Sequence, residues 1–181
     1  MEFGELKKRM SKSIESFLVD EADLLKQDAR EESITTQLKK YLEKEFSDWN
    51  WNIDHQYDKR IINNEVVQKR TLFARRSLPI GKIPKSISQD LEIIDKLIMP
   101  DIIFHDRHSN NHNFLVIEVK LSTNKNKDDR IFDFLKLEVM TSIDLKYEWG
   151  IFIDFTSGKE FNPENPYQMK LVRNGMWQQE D

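Results

Sequence analysis

Residues 114–121, FLVIEVKL, constrain the fold more than any other part of the sequence. Apolar side chains occupy both faces of this predicted strand, which is typical of a strand inside a sheet that is covered on both sides. Glu118 and Lys120 nevertheless interrupt it, and both lie on one face because side chains alternate along a strand. Burying such charges is costly unless they are paired or bind a metal. The segment therefore predicts a central strand with a specific use for charge.

The composition allows one domain and excludes several classes of protein. The chain has 181 residues, 38% hydrophobic and 33% charged, and its formal net charge of −4 excludes a protein that coats nucleic acid with its whole surface. It has no cysteine, so it contains neither a disulfide nor a thiolate metal site. No apolar run reaches the roughly 20 residues of a membrane span, and the N-terminus does not resemble a signal peptide. We expect a soluble cytoplasmic protein without a membrane partner.

Apolar spacing predicts four helical segments. The first covers residues 2–18, the second runs from about 21 to 46, and the fourth lies near 128–146. Between them, a short helix is predicted inside the Pro-punctuated connection 77–100, from the spacing of Ile87, Leu91, Ile94 and Ile98. The first segment carries an apolar stripe that we expect to dock on a second copy of the chain: Phe3, Leu6, Met10, Ile14 and Phe17.

Strand patterns fill the remaining segments. A strand starts near Trp51 and continues as a hairpin around Asn63-Asn64, two strands lie within 99–122, and a last hairpin turns at Asn174-Gly175. This order predicts an α/β (α+β) fold, a mixed sheet core flanked by helices. We divide the single domain into an N-terminal helical extension (1–20), a core (21–155) and a C-terminal hairpin and tail (156–181).

The two strands within 99–122 bring a second acid toward Glu118. In an antiparallel hairpin closed around Ser109-Asn110, His105 faces Phe114, Ile103 faces Val116, and Asp101 faces Glu118. Directly opposed residues have Cβ atoms about 5 Å apart. Two carboxylates at that distance repel each other, and one takes a proton unless a cation lies between them.

A divalent metal ion resolves this repulsion. Oxygen-only ligands favour Mg²⁺ or Mn²⁺, and Lys120, one step along the same face, is placed to orient a metal-bound water. The alternative is structural: Asp101 begins a turn, and Glu118 with Lys120 forms an ion pair at a strand end. The coincidence of the Pro100-Asp101 strand start, the hairpin spacing and the apolar setting favours the functional interpretation.

Each of two helices places one charge on its apolar face. Glu31 lies about 20° from the centre of the stripe around Leu38, which makes it the acid that faces the sheet. Its structural alternative is a pair with Arg30 or Lys39. Lys136 lies within the apolar stripe of the later helix, where it either extends to the edge of the helix or contacts a phosphate or the carboxylates of the site.

A run of basic residues without an acid lies between Glu65 and Asp90. Phosphate contacts supply most of the nonspecific affinity for nucleic acid, so this run is our candidate nucleic-acid surface, the alternative being a solvated loop. Its members are Lys69, Arg70, Arg75, Arg76, Lys82 and Lys85. Three histidines, His105, His108 and His112, span the predicted turn, and we interpret them as part of a polar hairpin tip rather than a zinc site.

Pro100-Asp101, followed by Glu118-Val119-Lys120 on the next strand, resembles the signature of the PD-(D/E)XK nuclease superfamily, which has the restriction-endonuclease-like fold. The order of elements from about residue 20 to 155 also resembles that family's core: a helix, a three-stranded meander, a helix and a fourth strand. The resemblance implies a Mg²⁺-dependent hydrolase that cleaves DNA, with Mn²⁺ as a substitute. Asp101, Glu118, the Val119 carbonyl and Glu31 would hold the metal, and Lys120 would be catalytic.

Some members of this family have lost catalysis, which leaves a second hypothesis open. In it, the chain is a nuclease-like binding or assembly module, and the charges form an internal ion-pair cluster. Metal binding separates the two hypotheses.

Overall fold

The computed structural model describes residues 1–62, 65–83, 92–142 and 145–178, and within them the chain forms three α-helices and a mixed sheet. The helices are α1 (Phe3–Lys26), α2 (Glu31–Glu45) and α3 (Lys127–Met140). The strands are β1 (Asn52–His55), β2 (Lys59–Ile62), β3 (Glu65–Gln68), β4 (Arg70–Ala74), β5 (Ile93–Leu97), β6 (Ile102–Asp106), β7 (Ser109–Leu121), β8 (Trp149–Phe155), β9 (Tyr167–Arg173) and β10 (Met176–Trp177).

Six strands form the main sheet, in the order β1-β6-β7-β8-β9-β10. Strands β7 and β8 are parallel, and the chain connects them through α3; the other neighbours are antiparallel. Two ribbons, β2-β3 and β4-β5, stand apart from this sheet. The mixed α/β architecture predicted from the sequence is confirmed, and the FLVIEVKL segment lies in a central strand.

Each face of the sheet packs on its own apolar core. Ile117 and Val119 belong to the core that includes α1 and α2, whereas Val116 belongs to the core that includes α3, β4 and β5. Both faces of β7 are therefore covered, as its apolar pattern predicts. None of the helices in the described residues combines the length and the apolar character that crossing a membrane requires.

The first two helices divide at a different place from the one predicted. Helix α1 runs to Lys26, and α2 begins only at Glu31, because Asp28 adopts a positive φ of 55° that interrupts the helix. The apolar stripe of α1 is buried in the chain's own core, where Leu6, Met10, Ile14 and Phe17 are fully buried. Phe3, the remaining member of the stripe, is partly buried against the same core, and docking of the stripe on a second copy stays a prediction.

The connection 77–100 also differs from the prediction. Ile94 and Ile98 lie on and just after strand β5, not on a helix, and their side chains are buried against α3 and its neighbours. Ile87 and Leu91, the other half of that predicted helix, lie outside the described residues. The final hairpin is confirmed, since Asn174 and Gly175 both have the positive φ that a type I′ turn requires.

The β6-β7 hairpin keeps the predicted register only near its open end. Ile102 pairs with Ile117 and Ile103 with Val116, but His105 pairs with Asn113 instead of Phe114. A register shift on each side of His105 moves the turn to Arg107-His108, ahead of the predicted Ser109-Asn110. The turn of the β2-β3 hairpin at Asn63-Asn64 lies outside the described residues.

Candidate functional site

Six charged side chains meet beside the end of β7, and we call them the acid–lysine cluster: Glu31, Asp101, Glu118, Lys120, Asp133 and Lys136. They come from four elements. Glu31 is the first residue of α2, Asp101 directly precedes β6, Glu118 and Lys120 lie in β7, and the last two lie on α3. The two β7 residues share a face because they are two positions apart. The cluster unites residues separated by more than one hundred positions in the chain.

Asp101 contacts the backbone of β7. The pairing of Ile102 with Ile117 places Asp101 next to Glu118 in the same register, as predicted. The Asp101 Oδ2 atom accepts a hydrogen bond of 2.7 Å from the Val119 N–H. This hydrogen bond holds one carboxylate oxygen of Asp101 in place and does not involve the other.

Lys120 bridges two helices. Its Nζ atom donates to Glu31 Oε1 at 2.7 Å and lies 2.9 Å from Asp133 Oδ2. It also donates, at 3.3 Å, to the Val119 carbonyl that the family resemblance implies as a metal ligand. The structure therefore brings Glu31 to Lys120, as the helical spacing predicts, and not to Arg30 or Lys39.

Lys136 is the partner of Glu118. Its Nζ atom donates to Glu118 Oε2 at 2.7 Å and lies 2.7 Å from Asp133 Oδ1. The lysine is 8% exposed, so its ammonium group is buried rather than extended to the edge of the helix. Glu118 is fully buried, and within the described part of the chain its Oε1 atom has no hydrogen-bond partner. Buried polar atoms are rarely left unpaired, so this oxygen needs an explanation.

Asp133 was not predicted from the sequence. It is 4% exposed and contacts both lysines, so it joins the two halves of the cluster. The available signal was its spacing: Asp133, Lys136, Leu137 and Met140 form the buried stripe of α3. Lys136 was predicted to lie within the stripe of this helix, and Asp133 lies on the same side of α3, three positions earlier.

Electrostatics in the cluster are dominated by burial and by crowded carboxylates. Burial raises the pKa of Glu118 well above its usual range, Asp101 and Asp133 raise it further, and Lys136 only partly opposes them. Burial also raises the pKa values of Asp101 and Glu31, against the opposing effect of the lysines. Both lysines are buried, which disfavours their charged forms, but the surrounding carboxylates outweigh burial and raise the lysine pKa values.

The donor set matches a hard divalent cation in type and in charge. All four acids offer oxygen, and four carboxylates with two ammonium groups leave a formal net charge of −2 when all are ionised. Within the described residues, however, no group of three or more acidic or imidazole side chains is arranged to hold a metal ion. The ammonium groups of Lys120 and Lys136 instead lie between the carboxylates. A metal at Glu118 and Asp101 would therefore bind Glu118 through the unpaired Oε1 atom, or through Oε2 after Lys136 releases it.

Only part of the predicted basic run lies on the surface of the structure. Lys69 is 2% exposed and donates to the Tyr57 carbonyl at 3.0 Å, so it cannot contact a phosphate as it stands. Arg70 pairs with Asp95 and Lys82 with Asp129. Arg75 and Arg76 line an open pocket of about 650 Å³ beside the end of β4. Lys85 lies outside the described residues.

The histidines do not gather at the hairpin tip. His105 is buried and bonded to Asp54, at 2.8 Å, whereas His108 lies in the turn and is exposed. The His112 side chain lies outside the described residues.

The chain matches no family model, and searches of curated proteins and of solved structures find no relative.

Proposed function

We propose that the chain is a metal-dependent nuclease that hydrolyses phosphodiester bonds of DNA, and that its fold is restriction-endonuclease-like. The observation that carries the proposal is the convergence of Asp101, Glu118 and Lys120 at the end of β7, with Glu118 Oε1 buried and unpaired in the described structure. The order α2, β1-β6-β7, α3, β8 supports the fold assignment, because it is the order that the PD-(D/E)XK resemblance implies.

In this proposal each side chain has a defined role. Asp101 and Glu118 would hold Mg²⁺ or Mn²⁺, with the Val119 carbonyl and Glu31 as further oxygen ligands. The ion would supply Lewis-acid charge to the scissile phosphate. Lys120 would orient the attacking water, and its contacts with Glu31 and Asp133 would hold the ammonium group in position. Lys136, released from Glu118, would offset charge on the phosphate.

A specific observation favours the second candidate, a binding or assembly module without catalysis. Every carboxylate of the cluster except Asp101 lies in an ion pair with Lys120 or Lys136. Such a network of ion pairs can hold the four elements in one arrangement without any ligand. In that case, the unpaired oxygen of Glu118 reflects only the limited number of donors nearby.

Nicking of supercoiled plasmid DNA separates the two candidates. If the chain is a nuclease, nicking should require Mn²⁺ or Mg²⁺, and both chelation and Asp101→Asn should abolish it. Asparagine can still accept the hydrogen bond from the Val119 N–H, so the variant is expected to fold. Calorimetric titration with Mn²⁺ is expected to show a binding site in the wild type and none in Asp101→Asn. Absence of both metal binding and nicking would overturn the nuclease and favour the second candidate, and equal nicking by Asp101→Asn would reveal a contaminant.

A further inference from the structure

Three lysine side chains converge on the ring of Phe132. The distances from Nζ to the ring centroid are 4.7 Å for Lys96, 5.7 Å for Lys82 and 5.7 Å for Lys136. An aromatic face attracts cations, but three like charges around one ring repel each other. Since Lys136 belongs to the acid–lysine cluster, this group of cations directly adjoins the candidate site.

The three lysines differ in how their charge is compensated. Lys136 pairs with Glu118 and Asp133, and Lys82 pairs with Asp129. For Lys96, no carboxylate of the described residues lies within ion-pair distance, and its ammonium group donates at 2.8 Å to the backbone carbonyl of Lys82. The Lys96 charge thus lies over an aromatic ring and beside a second cation, and none of the described carboxylates pairs with it.

Lys96 is not an ordinary solvated lysine on a strand. It lies on the face of β5 that also carries the buried residues Ile94 and Ile98, whereas Asp95 and Leu97 point outward and are exposed. Partial burial and the neighbouring charge of Lys82 both lower its pKa. A long side chain commonly extends from such a position to open solvent, but here it bends to Phe132 and Lys82.

We propose that Lys96 and Lys82, positioned by the Phe132 ring, form a phosphate subsite that binds the backbone of a nucleic-acid strand leading into the acid–lysine cluster. The ring distances place the Lys96 and Lys136 ammonium groups no more than about 10 Å apart. Strand phosphates advance by about 3.4 Å per nucleotide along a helix axis, so the subsite lies within a few nucleotides of the candidate centre. The assignment of the ligand rests on the proposed function.

Binding of a fluorescein-labelled single-stranded oligodeoxynucleotide in chelator tests the subsite without requiring cleavage. Lys96→Met keeps much of the stem volume and is expected to weaken binding by about tenfold at low salt. It should also reduce the log–log salt slope by about 0.7, the value for one phosphate contact on a single strand. Thermal melting of the same preparations establishes that the variant is folded.

Lys170→Met is the matched control. Lys170 also lies over a phenylalanine of α3, with Nζ 5.6 Å from the centroid of the Phe134 ring. Neither Lys82 nor Lys96 lines the pocket around Lys170. Its replacement should leave affinity and slope unchanged. Equal effects of the two substitutions, or no effect of Lys96→Met, would overturn the subsite. The subsite would also be overturned if Lys96→Met lost the binding of thymidine monophosphate but still bound the oligonucleotide like the wild type. That result would show that the lysine binds a small anion rather than a nucleic-acid strand.

The outcomes also separate this inference from the proposed function. If the wild type binds the oligonucleotide through Lys96 but never nicks DNA with metal, the nuclease fails and the subsite stands. If the wild type nicks DNA and Lys96→Met binds normally, the nuclease stands and the subsite fails. A wild type that does not bind the oligonucleotide overturns the subsite.

Discussion

The sheet carries two clusters with buried carboxylates, and they differ in how completely the carboxylate charges are satisfied. In the Asp54 cluster, formed by Asp54, His105 and Arg107, one carboxylate receives hydrogen bonds on both oxygens from two basic side chains. These bonds outweigh burial and lower the pKa of Asp54 to about 2. In the acid–lysine cluster four acids share two ammonium groups, and the acid pKa values with a resolved shift are raised.

The two clusters differ in whether the ionised carboxylates are stabilised by their surroundings. A carboxylate with a depressed pKa stabilises the folded state at neutral pH, whereas one with a raised pKa destabilises it when ionised. Raised carboxylate pKa values beside an unpaired buried oxygen are typical of a functional site, where an additional cation completes the charge. We therefore expect substitutions in the two clusters to have opposite consequences for activity and stability.

The largest expected effect is on cleavage by Glu118→Gln. Glutamine retains an acceptor for Lys136 but removes the charge that would hold the metal, so we expect the nicking rate with Mn²⁺ to fall by about 10³. The free energy of unfolding in chelator should stay the same or rise, because the repulsion from Asp101 and Asp133 is relieved. The comparison variant, Asp54→Asn, should keep its nicking rate per folded molecule. A comparable loss in both variants would remove the functional distinction between the clusters.

Lys120→Met is expected to reduce nicking by about 10², the usual scale for one positioned electrostatic or acid–base group. Mn²⁺ affinity should persist, because Lys120 is not a ligand. Lys125→Met is the matched control, since Lys125 is exposed and pairs only with Glu160 among the described residues. If Lys120 were purely structural, the variant would lose roughly 3–5 kcal/mol of stability, and cleavage would fall only with the folded fraction. Melting and nicking of one preparation decide between these results.

Lys69→Met removes a buried lysine whose positive charge the nearby Asp54 only partly compensates. Burial lowers the pKa of Lys69 to about 7, although Asp54 and Asp58 oppose the shift. Between pH 7 and about 10 the unfolded chain binds this proton and the folded chain does not, so wild-type stability should rise with pH. At pH 6 the variant should be more stable by about 2 kcal/mol, and the difference should shrink as pH rises. Urea unfolding across this range measures both curves, and parallel curves would contradict the assignment.

Local patterns predicted the part of the site that depends on β7 and α2. Alternation along the strand placed Glu118 and Lys120 on one face, and helical periodicity turned Glu31 toward the sheet, where it contacts Lys120. Counting paired positions outward from the predicted turn gave the correct pairing of Ile103 with Val116. These inferences succeeded because each depends on a fixed repeat of two or 3.6 residues.

The errors arose where tertiary contacts override local repeats. The shift at His105 follows no sequence period, and there the side chain bonds Asp54 on a strand fifty positions away. It also moves Phe114 into the core with α1 and α2, whereas strict alternation along β7 would place it on the face of Glu118 and Lys120. Asp133 was missed because an acid inside a helix is ordinarily assigned to solvent, and only the lysines from β7 and α3 make its burial favourable.

Asp54→Asn is expected to lose about 2 kcal/mol in the free energy of unfolding at pH 7. The folded pKa of about 2 lies below the unfolded value of roughly 4, so the stabilisation is complete above pH 5 and disappears as pH falls from about 4 through 2. Wild type and variant should therefore converge at the acidic end.

The control for this loss is Asp95→Asn, because Asp95 also pairs with an arginine, Arg70, but both side chains are about half exposed. An exposed pair of this kind contributes about 0–1 kcal/mol, and its contribution decreases with added salt. Urea titrations at pH 7 and pH 3 for the three proteins give the comparison directly. A loss for Asp54→Asn that equals the loss for Asp95→Asn, or that is the same at both pH values, would show that His105 and Arg107 do not stabilise the Asp54 charge. The Asp54 cluster would then no longer serve as the satisfied reference against which the acid–lysine cluster is interpreted.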